Sequence, residues 1–552
     1  MTDRRSYLLA GLAVFAVAAA MRTIPLYWSP LPHILDGFAH AALARETRAA
    51  GQLPIGPDLR ADLLVVTVFT ATASLVTDEA PLSVIQPLFS LAGAAVPLVG
   101  MAFTRRLGTD LGWPSRRVRA AALATGLLLA VQGLFLRHTS IPDPEPLGQL
   151  FAFLAVLSLH RLLRGRPTPV RWAVPLATFL LAFPILHTFS TFNAALGVTA
   201  LAGAEFARRP TRRTAVLGAG VVAGFWTLFV AYYELVERFG VLGVSYVGQV
   251  RTNPGLFLAW VVVLLVGVAW YGATSTRARR GLLYAPLGGM FVLVALNAVR
   301  PVFPGTIRSD PAVIAGVGLL TVPVAFAGYA TDALEDRHET ATLLTALLGG
   351  PVVLAAFALT ASLTPDFFAT AIRAQAFLHV PVFVLVGLAA ARVAWRDRGW
   401  TGRRGVRAGL LSVLATSTLL TVPLAFVALD TLTYPGTTHD SEFAAVEHAA
   451  TTTDARWTTD HGPMRVGRPT FAADAGMAAT RTWLRGGPPP ACPTLSFDRW
   501  VTDGATFWPA SPETVTRRRY AATLARRHLV YRSSGREPGA LSLPAGARTA
   551  GC

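Results

Sequence analysis

Long apolar runs recur along most of this chain, and they constrain its fold more than any other feature. Between Tyr7 and Leu429 the runs are about 17–22 residues long, which is enough for a helix to cross a hydrocarbon core of roughly 30 Å. Only a helix satisfies its own backbone groups within such a segment. The composition agrees, since 53% of the 552 residues are hydrophobic and 14% are charged, with a mean hydropathy of +0.48. An all-α polytopic membrane protein is therefore predicted.

Basic residues set the predicted topology. The chain contains no lysine, so its 49 basic residues are all arginine. Their clusters lie between the apolar runs, as expected for cytoplasmic loops under the positive-inside rule. The net charge of +18 is therefore assigned to topology and to contact with anionic lipid, not to nucleic acid. The clusters are at residues 4–5, 105–119, 161–171, 208–213, 277–280 and 392–407.

About thirteen membrane helices place every arginine cluster inside if the N-terminus is cytoplasmic. The first of them, behind Arg4 and Arg5, is interpreted as an uncleaved anchor. The helices are predicted near residues 6–22, 84–103, 119–136, 148–163, 172–188, 190–207, 215–234, 256–273, 281–299, 312–330, 341–362, 377–394 and 408–429.

This helix count divides the chain into two regions. Residues 1–429 form the transmembrane region, with a first outer loop over about 23–83, and residues 430–552 form a small extracytoplasmic α+β domain. The apolar stretch 63–76 within that loop is predicted to be an interfacial or re-entrant helix. Counting it as a span would put the arginine cluster at 105–119 on the outer side.

The first outer loop holds the leading catalytic candidate, Asp36. It precedes an amphipathic stretch that closes at Gly51 and Pro54. A carboxylate there could simply cap the helix, because it accepts backbone N–H bonds and complements the helix dipole. If a hydrophobic wall raised its pKa, it could instead act as a general base. The sequence alone leaves both interpretations open.

Two further carboxylates, Asp143 and Glu145, lie in a very short outer loop that runs into the next membrane helix. They could start that helix, but two negative charges beside a bilayer are costly to desolvate. A divalent cation, a basic substrate or the nearby Arg137 would relieve that cost. Oxygen ligands without cysteine favour Mg²⁺ or Mn²⁺ over zinc, so Asp143 and Glu145, with Asp36, are also a candidate metal site.

The outer histidines and the two cysteines give weaker signals. No fixed ligand spacing links the histidines, and structural or solvated roles are favoured for them; they are His33, His40, His138 and His187. Cys492 and Cys552 both lie in the C-terminal region, where an oxidising outer compartment would allow a disulfide. A terminal cysteine could equally be a free thiol, and both alternatives stay open.

Three segments carry a resemblance to a known family. The run from Asp36 to Pro54 resembles the family's first outer loop. The Asp143-Pro-Glu145 triplet resembles its second acidic motif, and the segment around Arg373 resembles the Arg-containing start of a late helix. The family is that of the GT-C glycosyltransferases, notably the oligosaccharyltransferase catalytic subunit and its archaeal relatives. The resemblance spans most of the chain and implies about thirteen helices followed by an outer C-terminal domain.

Two motifs depart from oligosaccharyltransferase. Residues 430–552 contain no Trp-Trp-Asp-Tyr-Gly string, which holds the acceptor sequon in that enzyme, and the Thr-Ile-x-Glu motif is altered to Thr306-Ile307-Arg-Ser-Asp310. The chain more closely resembles the branch that moves a single sugar, the archaeal dolichyl-phosphate-mannose mannosyltransferases. That resemblance implies an inverting hexosyltransferase in S-layer protein N-glycosylation. Its donor would be a dolichyl- or polyprenyl-phosphate sugar, and its acceptor a glycan or glycoprotein at the outer face of the cell membrane.

This chemistry implies roles for the candidate residues. Asp36 would remove the acceptor proton, and Asp143 and Glu145 would bind the acceptor, the sugar or a metal ion. A guanidinium group would stabilise the departing lipid phosphate. Arg373 is the leading choice, and the alternatives Arg300 and Arg308 could also be interfacial anchors.

Two other functions stay open. One is transfer of a whole lipid-linked glycan to protein by an oligosaccharyltransferase. The other is transport or flipping of a lipid or glycan by a multi-spanning carrier. Carriers usually place ionisable groups near the bilayer midplane, whereas the candidate residues of this chain gather on one predicted face.

Overall fold

The structure is a computed structural model that describes residues 2–54, 59–164, 170–239, 245–302, 308–309, 311–335, 337–395, 404–426, 436–508 and 510–546. Each of the thirteen predicted helices overlaps a helix or a pair of helices. The helices of the N-terminal region are α1 (Thr2–Arg22), α2 (Pro25–Trp28), α3 (Asp36–Ala50), α4 (Leu64–Thr77), α5 (Pro81–Asp110), α6 (Ser115–Val131), α7 (Gly133–Thr139), α8 (Glu145–Leu163), α9 (Val170–Leu186), α10 (Thr188–Arg208), α11 (Arg212–Arg238), α12 (Ser245–Thr252), α13 (Pro254–Ala273), α14 (Thr276–Val299), α15 (Pro311–Leu319), α16 (Thr321–Tyr329), α17 (Glu339–Ala361), α18 (Pro365–Ala376), α19 (His379–Ala394) and α20 (Arg404–Leu419).

The described helices make the chain a multi-pass membrane protein. Among the residues that the structure describes, nine helical segments are long and apolar enough to cross a membrane, or ten if α6 and α7 form one bent span. The predicted count of thirteen is therefore not confirmed, because several predicted spans are shorter or interrupted. The stretch that was predicted to be interfacial or re-entrant is α4, a helix of 14 residues, and its membrane placement stays a prediction.

Three helices, α10, α17 and α19, form the centre of the bundle. Most of their side chains are buried, including Phe192 and Leu196 of α10, Leu344 of α17 and Val384 of α19. Burial of apolar surface stabilises a fold by roughly 25 cal/mol for each Å². This gain applies only where the surface would otherwise contact water. Inside a bilayer, close van der Waals packing holds the helices together instead.

A sharp bend separates α6 from α7 and directs α7 toward the first loop. The two helices meet at 69°, and the side chain of Gln132 at the break accepts the amide of Phe135 at 2.6 Å. Gly133 begins α7 and donates its amide to Thr421 Oγ1 at 2.8 Å. At the other end of α7, the buried Arg22 donates to Thr139 Oγ1 at 2.7 Å. These bonds hold α7 in place at one end of the bundle.

The C-terminal region contains both helices and strands. A five-stranded mixed sheet has the order β2-β1-β3-β7-β6, in which β1 is parallel to β2 and β3, and β7 is antiparallel to β3 and β6; β4 and β5 form a separate antiparallel pair. The elements are α21 (Asp440–Thr452), β1 (Trp457–Thr458), α22 (His461–Phe471), β2 (Ala475–Gly476), α23 (Ala478–Leu484), β3 (Thr494–Phe497), β4 (Ala505–Phe507), β5 (Ala510–Glu513), α24 (Arg517–Ala525), β6 (Arg527–Arg532) and β7 (Gly539–Pro544). The predicted boundary at 429/430 lies outside the described residues.

The first loop and the C-terminal region share one hydrophobic core. Leu35 and Phe38 of the loop are buried with Trp457, Trp500 and other side chains of the C-terminal region. The ring of Phe38 stacks on Phe443, with centroids 6.2 Å apart and planes at 25°. The C-terminal region therefore packs directly on the segment that carries Asp36.

Candidate active site

Asp36 is the first residue of α3, as the amphipathic pattern predicted, and Gly51, directly after the helix, has a left-handed φ of +66°. The N-cap residue is Leu35, and Asp36 lies in the first turn, where its charge complements the helix dipole. Its carboxylate accepts a hydrogen bond from the guanidinium of Arg465 in α22. No sequence pattern predicted this partner.

Close packing holds Asp36 beside the second acidic loop. A Cβ atom on Gly37 would lie 2.6 Å from Pro32 Cβ and 2.7 Å from Pro142 Cγ, so a glycine is needed where α3 meets the residue before Asp143. Just upstream, Ile34 has a φ of +74°, which is a strained conformation for a β-branched residue. Its amide donates to the carbonyl of Gly436 at 2.6 Å, so the C-terminal region holds this strained turn in place.

In the second acidic loop, the carboxylates of Asp143 and Glu145 make different contacts. Asp143 Oδ1 accepts the amide of Glu145 at 3.0 Å, so Asp143 helps to start α8, as one of the two interpretations predicted. Glu145 is 1% exposed. Its Oε1 lies 3.3 Å from Nδ1 of His138 and accepts a bond of 3.3 Å from Gln149 Nε2. A buried carboxylate with these two partners is fixed in position.

Four of the predicted site residues line one cavity of about 150 Å³. They are Asp36, Asp143, Glu145 and Arg373. Arg137 and His138 of α7 and Trp508, which follows β4, line the same cavity. Arg373 of α18 donates to the hydroxyl of Tyr246 at 2.9 Å. The structure thus brings together residues from both acidic loops, a late helix and the C-terminal region.

Arg300 and Arg308, the alternative phosphate ligands, are exposed and do not line this cavity. Ser309, next to Arg308, lines a second, mostly apolar cavity of about 440 Å³ between α14, α15, α16 and α18. The two cavities adjoin, since Arg137, His138, Phe368 and Ile372 line both. A charged cavity therefore lies directly beside an apolar one.

A second arginine-carboxylate pair flanks the charged cavity. Arg60 donates to both oxygens of the buried Asp62, at 3.1 and 3.0 Å. Asp62 also accepts from the amide and hydroxyl of Thr188, at 3.2 and 2.9 Å. Asp62 thus holds the 43% exposed side chain of Arg60 in place. Burial lowers the pKa of this guanidinium, but the charges of Asp62, Asp143 and Asp36 outweigh burial and raise it. Sequence spacing did not single out this pair.

The pKa of Asp36 is not raised, although a raised pKa was the condition set for its role as a general base. Burial raises the pKa of this carboxyl, but nearby positive groups outweigh burial and hold the pKa below its usual value. The groups that lower it are, in order, Arg465, His40, Arg373 and Arg60. Asp36 is therefore ionised over a wide pH range, which keeps it able to accept a proton but makes it a weaker base.

The histidines differ in their surroundings. His187 Nδ1 lies 2.8 Å from Ser190 Oγ, and the backbone amide of His33 donates to Gln86 at 2.9 Å. His40 is 5% exposed, and neither of its ring nitrogens has a hydrogen-bond partner among the described residues. Burial lowers the pKa of His40, against the opposing effect of Asp143 and Asp36.

The metal site expected from Asp36, Asp143 and Glu145 does not fit this geometry. Among the described residues, no group of three or more His, Cys, Asp or Glu side chains is arranged to hold a metal ion. The reason is that Asp36 is paired with Arg465 and Glu145 with His138.

The predicted disulfide joins Cys492 and Cys552. Cys492 is buried, Cys552 lies outside the described residues, and their disulfide stays a prediction.

Comparison with known proteins identifies the fold. No protein-family model and no curated protein matches this sequence. The archaeal oligosaccharyltransferase AglB from Archaeoglobus fulgidus, in complex with an inhibitory peptide and a dolichol-phosphate, aligns with a TM-score of 0.51 and 12% identity over 89% of this chain and 69% of that chain. The apo form of the A. fulgidus oligosaccharyltransferase aligns with a TM-score of 0.52 and 12% identity over 86% and 65%. ArnT from Cupriavidus metallidurans, in the apo state, aligns with a TM-score of 0.38 and 16% identity over 96% and 97%.

The chain therefore has the fold of the archaeal oligosaccharyltransferase, and it spans about two thirds of the length of those structures. This similarity agrees with the expected layout of a helical membrane region followed by a C-terminal domain. At 12% identity it concerns the fold alone, and the reaction has to be argued from the cavity.

Proposed function

We propose that this protein is a membrane glycosyltransferase that moves one sugar from a polyprenyl-phosphate donor to a glycan acceptor. The observation that carries the proposal is the junction of the two cavities. A polyprenyl-phosphate sugar has an apolar tail, a phosphate and a polar sugar, in that order. The apolar cavity, the shared Arg137 and the carboxylates of the charged cavity follow the same order.

The residues of the charged cavity support an inverting transfer. The acceptor hydroxyl attacks the anomeric carbon, a new C–O bond forms, and the bond from that carbon to the phosphate oxygen breaks. Asp36 accepts the hydroxyl proton as attack proceeds. The leaving polyprenyl phosphate keeps the bonding electrons, and Arg373 and Arg137 stabilise its charge. No metal ion takes part in this scheme.

Finer features of the proposal are those implied by the resemblance to archaeal dolichyl-phosphate-mannose mannosyltransferases. The sugar is mannose, the donor lipid is dolichol, and the pathway is N-glycosylation of an S-layer protein. The dolichol-phosphate in the AglB structure is consistent with this donor class. The N-terminus is cytoplasmic, and the charged cavity and the C-terminal region face outward. Tags at either end, probed with a membrane-impermeant reagent in intact cells, test this orientation.

Transfer of a whole glycan, as by an oligosaccharyltransferase such as AglB, is the second candidate. The experiment therefore offers the purified protein two donor–acceptor pairs in liposomes. One pair is dolichyl-phosphate mannose with a lipid-linked or soluble glycan, and the other is a lipid-linked oligosaccharide with a sequon peptide. We expect a mass increase of one hexose on the glycan and no change to the peptide. Glycosylation of the peptide alone would identify an oligosaccharyltransferase and overturn the proposal.

A further inference from the structure

Trp508 of the C-terminal region occupies an unusual position. It is 45% exposed, yet it lines the charged cavity together with Asp36, Asp143 and Arg373. A large apolar ring that stays partly open to water beside charged groups is an informative exception to ordinary burial. The indole has a broad apolar face and one polar N–H group, which suits a ligand with both kinds of surface.

The surroundings of Trp508 hold it in place. The ring of His461, the first residue of α22, lies nearly parallel to it, with centroids 6.3 Å apart and planes at 29°. Asp460, directly before His461, accepts the amide of Thr506 at 3.3 Å and so ties the start of α22 to β4. The buried Arg499 donates to the same carboxylate at 3.3 Å. The segments that carry His461 and Trp508 are therefore fixed to each other.

The two substrates of a transfer reaction need separate approaches to the reacting carbon. The apolar cavity meets the charged cavity at Arg137, His138, Phe368 and Ile372, and Trp508 is not among its lining residues. A donor lipid that fills the apolar cavity thus reaches Asp36 from the α14–α18 side. The acceptor then has to approach from the C-terminal region, where Trp508 lies.

We propose that Trp508 binds the acceptor by stacking on the apolar face of a pyranose ring, so that the acceptor group is a sugar hydroxyl. This inference rests on the proposed function and specifies its acceptor. A pyranose presents C–H groups on its faces and hydroxyl groups around its rim. The indole contacts the face, and the carboxylates and guanidinium groups of the cavity bond the rim. The serine or threonine side chain of a peptide has no such ring to stack.

The first test measures transfer and donor hydrolysis together. Purified protein in liposomes receives dolichyl-phosphate mannose, and an alkyl mannopyranoside or a serine-containing peptide serves as the acceptor. For Trp508→Ala we expect the KM for the pyranoside to rise about tenfold, with a matching fall in the ratio of transfer to hydrolysis. Trp508→Tyr keeps an aromatic face and should recover most of that ratio. Trp270→Ala is the matched control, since Trp270 is exposed to a similar extent, 51%, and lines neither cavity.

The outcomes separate this inference from the proposed function. The stacking role would be overturned if Trp508→Ala left the KM for the pyranoside unchanged, or if it changed the KM for the peptide instead. Donor cleavage in the same assay would still support the transferase. Absence of donor cleavage in the unmodified protein would overturn both.

A binding measurement avoids dependence on turnover. Protein labelled with fluorotryptophan gives a ¹⁹F resonance that can be assigned to Trp508 by its loss in Trp508→Ala. Titration with the alkyl mannopyranoside should shift that resonance, whereas the peptide should leave it in place. A shift with the peptide and none with the pyranoside would overturn the proposal.

Discussion

Arg465 of α22 donates a hydrogen bond to the carboxylate of Asp36, although 429 residues separate them in the sequence. Both side chains remain partly exposed, at 40% and 43%, so solvent screens the pair and it adds only about 0–1 kcal/mol to stability. Its main effect is on the charge of Asp36. The C-terminal region thereby helps to set the protonation state of the candidate base.

Replacement of Arg465 should change the pH dependence of transfer. Arg465 holds the pKa of Asp36 below its usual value, so Arg465→Gln should raise that pKa. Activity that needs the ionised carboxylate is lost as pH falls through the pKa, and the acidic limb of kcat/KM should therefore move to higher pH. Arg468→Gln is the matched control on the same helix, because Arg468 bonds the carbonyl of Ala475 instead. An acidic limb that stays in place in Arg465→Gln would contradict the assignment of this limb to Asp36.

Gly37 should tolerate no larger residue. In Gly37→Ala the new Cβ would meet Pro32 and Pro142 at 2.6–2.7 Å, and relief of that overlap would push α3 away from the second acidic loop. We expect a loss of about 1–3 kcal/mol in stability, together with a fall in kcat, measured by thermal unfolding and by transfer assays. Gly11→Ala is the control, since nothing lies within 4 Å of a Cβ there. Equal behaviour of the two variants would show that this close packing does not position Asp36.

Arg373 should contribute to donor binding through its charge. Because a hydrogen bond to a charged group contributes about 1.5–3 kcal/mol, Arg373→Gln should reduce kcat/KM for the donor roughly 10- to 150-fold. Arg300→Gln should reduce it far less, because Arg300 lies outside the charged cavity. Rate measurements with varied dolichyl-phosphate mannose compare the two. A larger effect at Arg300 would identify it as the phosphate ligand instead.

The apolar cavity should select for the donor lipid. Gly288 lines it, and a Cβ at this position meets nothing within 4 Å. In Gly288→Leu the added side chain should occupy the cavity and raise the KM for a long-chain donor by about tenfold, with a smaller effect on a short-chain analogue. The neighbouring Gly289 is equally open but does not line the cavity, so Gly289→Leu is the control. If the KM for both chain lengths rose equally, the cavity would not hold the lipid tail.

Sequence patterns predicted the helices well because apolar runs of spanning length leave few alternatives to a helix. They were less informative about spans, since breaks such as that at Gln132 and short helices such as α15 and α16 depend on tertiary packing. The arginine pattern put Asp36, Asp143 and Glu145 on one predicted face, and the family resemblance added Arg373. The lowered pKa of Asp36 could not be predicted in this way.

Contacts between distant segments set this pKa. The pattern around Asp36 predicted only an amphipathic stretch of an outer loop. It could not show Arg465, because no periodicity links α22 to α3. Trp508 was missed in the same way, since its importance comes from the packing of the C-terminal region on the first loop.

The central claim, that Asp36 assists sugar transfer from a polyprenyl phosphate, is tested most directly by one rate measurement. Unmodified protein, Asp36→Asn and the control Asp78→Asn are reconstituted with dolichyl-phosphate mannose and a glycan acceptor, and the product is quantified by mass spectrometry. Asp78 is a suitable control because its side chain is 93% exposed and pairs with Arg48, outside the cavity. We predict addition of one hexose, a loss of about 10²–10⁴-fold in Asp36→Asn, and no such loss in the control. Equal rates in all three proteins, or no hexose addition by the unmodified protein, would contradict the account.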